Sequence, residues 1–518
     1  MSDPLASRAA LITGVTVLPV GGHAFALGRL RFTDTLSRPF QLDVELISTG
    51  GDVPVEDLLG QDLTIALSRP AGGTRHLHGI VRHAVRRVVA GDAAVYACTA
   101  VPHIAVSELG SDFRIHLDKS VTTILETTLG ELRLPHDAAG VTGDYPDLRQ
   151  CVQYGESHAA FVHRLLERFG IYYYHHHAAG VHTLKLVDSS AAHGPLVGAE
   201  SLPFKAAAEA AVAEEHVYFW ETRGAMQAGA FATKDYDYLD PATEVMATQT
   251  ASPPHAYPHG AQEWFEYPAG CLRIAEAKAA AGRRIDERTC RGLEVRGEAR
   301  ATGLAVGHTF KLTGSPVASD NASYLVTGVD LTIEPTGGND PAGKPRGQFT
   351  TTCRFTAIPA TAQFRPERTT PAPRVHGVQP AVVVGPAGQN PKMPYTDNLG
   401  RIKVQFHWDR HGKKNENSSC WLRTPHQSAG NGYGHVWLPR IGCEVLVAFV
   451  DGDPDRPTIV GHVYNGQTTL PLDLPAEADH AIIKDDGGNY IRIEPTDGEQ
   501  RQILYSPVKN TRMRIGKG

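Results

Sequence analysis

The chain has 518 residues, of which 41% are hydrophobic and 20% charged, and its net charge is −6 at neutral pH. That length exceeds what one hydrophobic core organises and calls for about three domains. A balance so near neutrality argues against nucleic acid or an anionic membrane as the main partner. No run of about 18 apolar residues offers a bilayer-spanning helix.

The N-terminus, Met1 to Arg8, lacks the charged start and apolar run of a secretory signal, so export by the general route is not expected. The 25 histidines are unusually many, and mild acid would charge much of such a surface. Seven cysteines (Cys98, Cys151, Cys271, Cys290, Cys353, Cys420 and Cys443) form no C-x-x-C pair. They read as reduced, mostly buried thiols.

In chain order, the first 135 residues read as β. Ala24 to Phe32 and Phe40 to Ile47 alternate apolar with polar, which places Phe40, Leu42, Val44 and Leu46 on one face. Leu63 to Leu67 and Arg75 to His83 continue the pattern, and Gly91-Asp92 reads as the turn before Ala94. The clearest helix runs from the cap residue Ser157 to Phe169, with Gly170 as its stop. Ile171 to His177 and Val181 to Val187 then form a hairpin. A second helix is expected from Cys271 to about Thr289, followed by strands at Leu293 and Thr309.

Between Ala357 and Pro391, seven prolines (Pro359, Pro366, Pro371, Pro373, Pro380, Pro386 and Pro391) punctuate the chain and predict an extended linker. From 375 to 467, short alternating strands broken by Gly and Asp turns read as a small closed barrel. The tail, with Asp485 to Glu494 and Gln502 to Ser506 around Asp497-Gly498, is a ribbon with too little apolar surface to fold alone. It needs copies of itself to complete a core. The sequence stops at Lys517-Gly518, which reads either as a short ribbon or as a truncated chain.

Several stretches look like chemistry. His175-His-His, with His163 and His182 nearby, puts His175 and His177 on one face, short of the three or four ligands zinc takes; partly exposed strand histidines are expected instead. Asp451-Gly-Asp-Pro-Asp-Arg resembles the start of a calcium loop, but position 456 is Arg and position 462 is His. Asp453 and Asp455 beside Pro454 and Pro457 suit a rigid barrel corner. Gly432-Tyr-Gly-His-Val-Trp lacks the third glycine of a dinucleotide loop, and no nucleotide, zinc-protease or serine-hydrolase motif occurs. No catalytic residue, cofactor site or metal site is therefore assigned. Trp408, Trp421 and Trp437 read as barrel or interface packing, and Gly442 as a bend that a β-branched side chain would spoil.

Three regions resemble a known family. They are Gln153-Tyr-Gly-Glu-Ser-His-Ala-Ala-Phe-Val-His-Arg-Leu-Leu-Glu-Arg-Phe-Gly-Ile-Tyr-Tyr, the span from Phe364 to Asn465 including Gln405-Phe-His-Trp-Asp-Arg, and Gly487-Gly-Asn-Tyr-Ile-Arg. Together they resemble the VgrG spike proteins of type VI secretion, themselves related to contractile phage tail hubs. His158 stands where that family often has Asp. The resemblance implies a mainly β fold: a phage-tail-hub-like domain with helices over 1–365 and a Pro-rich approach over 366–391. An OB-fold barrel over 375–467 and the start of a trimeric β-prism or β-helix needle over 480–518 complete it.

It implies a homotrimer that caps an inner tube of Hcp-type hexamers, meets baseplate components and carries a PAAR-type tip. Effector and adaptor proteins are the expected cargo, with transient membrane contact on firing, and no fused toxin domain is visible. The protein is expected to assemble in the bacterial cytoplasm and leave by injection. An alternative reading is a phage-type tail spike, or the hub of an extracellular contractile injector, with hydrolase or glycan-binding activity.

Overall fold

A computed structural model describes residues 14–48, 51–69, 73–88, 94–195, 198, 200–205, 215–337 and 348–517. The N-terminal segment Met1 to Arg8 and the expected turn at Gly91-Asp92 lie outside the described residues. The chain divides into two compact units. One comprises residues 1–111, 120–146 and 157–372, the other residues 112–119, 147–156 and 373–518.

The first unit is built on a twelve-stranded sheet. Its alternating N-terminal strands Phe25–Thr35, Gln41–Ser48, Asp62–Ser68, Thr74–Val88 and Ala94–Val101 pair antiparallel. Phe25–Thr35 also pairs with Ser323–Pro335, with Leu30 opposite Ile333 and Phe32 opposite Leu331. Early and late strands therefore share one core, in which Phe32, Leu42, Leu46, Leu331, Ile333 and Phe355 are buried. Phe40, Leu42, Val44 and Leu46 are all buried, as their two-residue period requires.

The helix His158–Phe169 starts where Ser157 Oγ accepts the Ala160 amide at 3.1 Å and stops at Gly170, whose φ is +67°. A Cβ at Gly170 would also meet Arg283 Cδ at 2.9 Å, so glycine is required there on two counts. The hairpin Tyr172–Ala178 with Val181–Val187 follows, and His177 stands directly opposite His182. The second helix is Ile274–Thr289, starting three residues later than the composition predicts. The Asp235 carboxylate accepts the amides of Gly270 and Cys271, and Glu276 Oε2 accepts that of Leu272, which holds 270–272 out of the helix.

In the second unit, Lys403–Phe406, Gln379–Val384, Glu444–Phe449 and Pro457–Val463 form a four-stranded antiparallel sheet. Leu422 bridges to Ile402 and Arg423 to Thr458, joining the two edge strands and closing a barrel. Its core holds Val383, Val404, Phe406, Leu422, Val445 and Val447. The Pro-rich stretch is thus not wholly a linker, because Gln379–Val384 is a central strand. Pro380 is tolerated there because pairing with Lys403–Phe406 begins only at Ala381, so its missing N–H removes no bond on that side. Ser111–Ser120 and Asp147–Ser157 pair as a two-stranded sheet, most of which belongs to this unit.

The tail is a four-stranded antiparallel meander, Ala481–Lys484, Tyr490–Glu494, Arg501–Ser506 and Thr511–Gly516.

Candidate interaction surface and functional site

The register of the tail meander sorts its side chains into two unlike faces. Ile483 stands opposite Ile491, Ile491 opposite Leu504, and Leu504 opposite Met513, while Ile493 shares their face two residues along its strand. All five are exposed, as is Ile515, with Ile483 at 55% and Ile515 at 61%. The other face carries Arg492, Glu494 and Arg501, joined in ion pairs, and the stacked rings of Tyr490 and Tyr505 at 4.8 Å. An apolar sheet face left in water is an association surface. Chemically it can bury area against like surfaces, and it holds no group for catalysis.

The barrel carries a seam of aromatic rings. Trp408 stacks on Phe406 at 4.9 Å, meets Phe113 at 5.7 Å and Tyr154 at 5.6 Å, and donates its indole N–H to Gln379 Oε1 at 2.7 Å. Trp421 packs on Tyr395 at 5.0 Å, with the Lys403 ammonium 5.1 Å from its ring. Trp437 is 47% exposed beside the small hairpin of Ala429–Gly430 and Tyr433–Gly434. The three tryptophans therefore do not form one face. Gly442 has a φ of +89°, and its amide donates to Val383 O at 2.9 Å.

At the acidic corner, Asp453 Oδ1 accepts the Asp455 amide at 2.9 Å. Asp455 Oδ1 accepts the Val152 amide at 2.7 Å, and Gln150 Nε2 donates to Pro454 O at 3.1 Å. These carboxylates hold backbone amides of the turn and of the Asp147–Ser157 strand. Sequence reasoning missed Gln150, Phe113 and Tyr154, which lie more than 200 residues from the barrel groups they touch.

The histidines differ from expectation. His175 and His182 are buried, not partly exposed, whereas His177 is half-buried and His176 exposed, as expected. The reason is a long-range contact: the hairpin packs on the Thr74–Val88 strand, bringing His78 Nδ1 to 2.8 Å from His182 Nδ1. His182 Nε2 accepts the His103 amide at 3.0 Å, and His177 Nδ1 accepts the His78 amide at 3.1 Å. The Phe40 ring sits 4.8 Å from His175 and 4.9 Å from His177. Among the described residues no group of three or more His, Cys, Asp or Glu side chains has the geometry to hold a metal ion. The seven cysteines are free thiols, and burial pushes Cys98 up to about 11 and Cys353 up to about 12.

A hub sheet followed by a closed barrel and an apolar-faced ribbon defines a baseplate hub protein of contractile-tail type. The family model described as phage tail baseplate hub (GPD) matches residues 33–337, and that of the type VI secretion system/phage-baseplate injector OB domain matches 388–464. The type VI secretion system spike protein VgrG1b of Pseudomonas aeruginosa is 35% identical over 499 residues, spanning 94% of this chain and 66% of its own length. VgrG1c of the same organism is 34% identical, spanning 94% of this chain and 67% of its own. The solved E. coli c3393 protein, described as a type VI secretion component similar to T4 tail proteins gp27 and gp5, shares the fold. Its TM-score is 0.59 at 20% identity, over 87% of this chain and all of that one. The chain belongs to the VgrG family of type VI secretion spike proteins.

Proposed function

We propose that this chain acts as a homotrimeric spike that caps an inner tube of Hcp-type hexamers and is driven outward by sheath contraction. It assembles in the bacterial cytoplasm with baseplate components, carries a PAAR-type tip, and delivers effectors that adaptors load onto it. It works mechanically and not as an enzyme, and its membrane contact is the transient one of firing. The observation that carries this reading is the exposed apolar face of the terminal meander, whose burial requires further copies of the same ribbon.

The relatives named as spike proteins support the same role. No helix among the described residues is long and apolar enough to cross a membrane. A strain whose only spike is the Ile493→Asp/Leu504→Asp variant tests this. The variant chain should accumulate in the cells while tube protein no longer appears in the medium. Undiminished release of tube protein would contradict the reading.

A further inference from the structure

The buried histidines form an ordered chain. A backbone N–H must donate, so the His103 amide fixes His182 Nε2 as an acceptor, and the His182 proton then sits on Nδ1. That proton points at His78 Nδ1, 2.8 Å away, so His78 accepts there and carries its own proton on Nε2. His78 Nε2 lies 3.3 Å from Asp62 Oδ1. The same rule makes His177 Nδ1 an acceptor of the His78 amide. Every link requires a neutral imidazole in one tautomer. A second proton on His182 would set two N–H groups against each other at the His103 amide, and one on His78 would do so at His182.

The surroundings give such a proton no counter-charge inside the core. Both nitrogens of His175, and Nε2 of His177, are buried without a hydrogen-bond partner. His103, His175 and His182, with Leu134, Pro135 and Leu184, line a cavity of ≈ 10 Å³, about the size of one water. The charged and titratable groups facing the cluster are Asp62 from Asp62–Ser68, Arg75 from Thr74–Val88, His103, His163 from His158–Phe169, and Tyr173, whose ring lies 5.3 Å from that of His175. The one carboxylate among them is largely exposed, and the guanidinium repels a further positive charge. His182 already lacks a free nitrogen for a metal, since both are engaged.

We propose that this cluster is an acid-sensitive latch that fastens the hairpin Tyr172–Ala178/Val181–Val187 to the hub sheet while its histidines are neutral and releases it when they gain protons. Burial first, and then neighbouring histidines, hold His175 and His177 well below the ordinary imidazole range and lower His182 to about 2. A group depressed on folding is charged more readily when unfolded. Its stabilisation is complete above the unfolded value near 6.5 and is lost as pH falls from there towards the folded value. Asp34, raised to about 7 by burial, acts in the opposite direction over part of that range. It is one group against several, so acid loosens the hairpin.

Hydrogen exchange on the full chain at pH 7 and pH 5, corrected for intrinsic rates, tests the latch. Amides of 172–178 and 181–187 should lose protection by about tenfold or more at pH 5, ahead of the rest of the hub. In His182→Gln, which cannot titrate but can still donate and accept, that pH-dependent loss should shrink without vanishing, because His78, His175 and His177 can still gain protons. Protection in the wild-type hairpin that is equal at the two pH values, or lost evenly across the hub, would overturn the proposal. The wild-type comparison decides the matter even if the variant fails to fold.

Discussion

Arg38 Nη1 donates to Glu167 Oε1 at 2.8 Å, although 129 residues separate them, and the Glu167 side chain is only 2% exposed. The same carboxylate accepts the amides of Thr369 and Thr370, at 3.1 and 2.9 Å, and the Thr370 hydroxyl at 2.9 Å. Arg365 donates to Gly170 O at 2.8 Å and to Asp188 O at 2.6 Å, and Arg291 pairs with Glu367 at 3.2 Å. The segment that leaves the last hub strand is thereby fastened to the hub by charge-assisted bonds along its length. Hydrogen bonds of this kind, with one partner ionised, are shorter and stronger than neutral ones.

Removing the Glu167 carboxylate should open this seam. Glu167→Ala takes the carboxylate from two backbone amides and from one N–H of Arg38, which keeps Ser37 O and Glu367 O as acceptors, at a cost of about 3 kcal/mol or more. Glu167→Gln keeps one acceptor oxygen and should cost about half as much. Urea unfolding followed by far-UV circular dichroism measures both, and a midpoint unchanged in Glu167→Ala would show that the seam carries no stability.

Asp34 should give a pH-dependent effect of a recognisable sign. Its Oδ1 is buried without a hydrogen-bond partner, and burial raises it to about 7. Stability from this group is therefore fullest below the unfolded value near 4 and falls as pH rises towards 7. Asp34→Asn removes the charge, so it should stabilise the protein by ~1–3 kcal/mol at pH 8 and by little at pH 4.5. Thermal melts at the two pH values give the comparison. A larger gain in acid would reverse the sign and refute the assignment.

Gly442 tests backbone strain separately from crowding. A Cβ there would meet nothing within 4 Å, yet the φ of +89° is one that L side chains rarely adopt. Gly442→Ala and Gly442→Val should both destabilise the barrel by about 1–3 kcal/mol. An unchanged melting temperature for Gly442→Val would discard this reasoning.

Trp408 should matter to the barrel core. Trp408→Ala loses the stack on Phe406 and leaves Gln379 without its indole donor, costing ~3–5 kcal/mol. Trp408→Phe keeps the ring contact but not the bond and should cost less than half as much. Equal losses in a denaturant titration would mean that the stacking contributes nothing.

What the sequence disclosed and what it hid divide along contact range. The helix ending at Phe169 was legible because its cap, its apolar spacing and its stop at Gly170 all lie within fourteen residues. The alternation from Phe40 to Leu46 gave the buried face for the same reason. The burial of His175 and His182 was hidden because it depends on His78 and His103, which only the sheet pairing brings near. Phe113 and Tyr154 beside Trp408 were likewise beyond any local pattern. In the tail the short alternating strands were legible, but the apolar row across them was not, because it depends on the register of four paired strands.

The most direct test of the account is the solution mass of the full chain by size-exclusion chromatography with light scattering. With the proposed homotrimer burying the exposed row of Ile483, Ile491, Leu504 and Met513, the wild type should run at three chain masses and Ile493→Asp/Leu504→Asp as a smaller species. A wild-type protein that runs as one chain mass at micromolar concentration would contradict it.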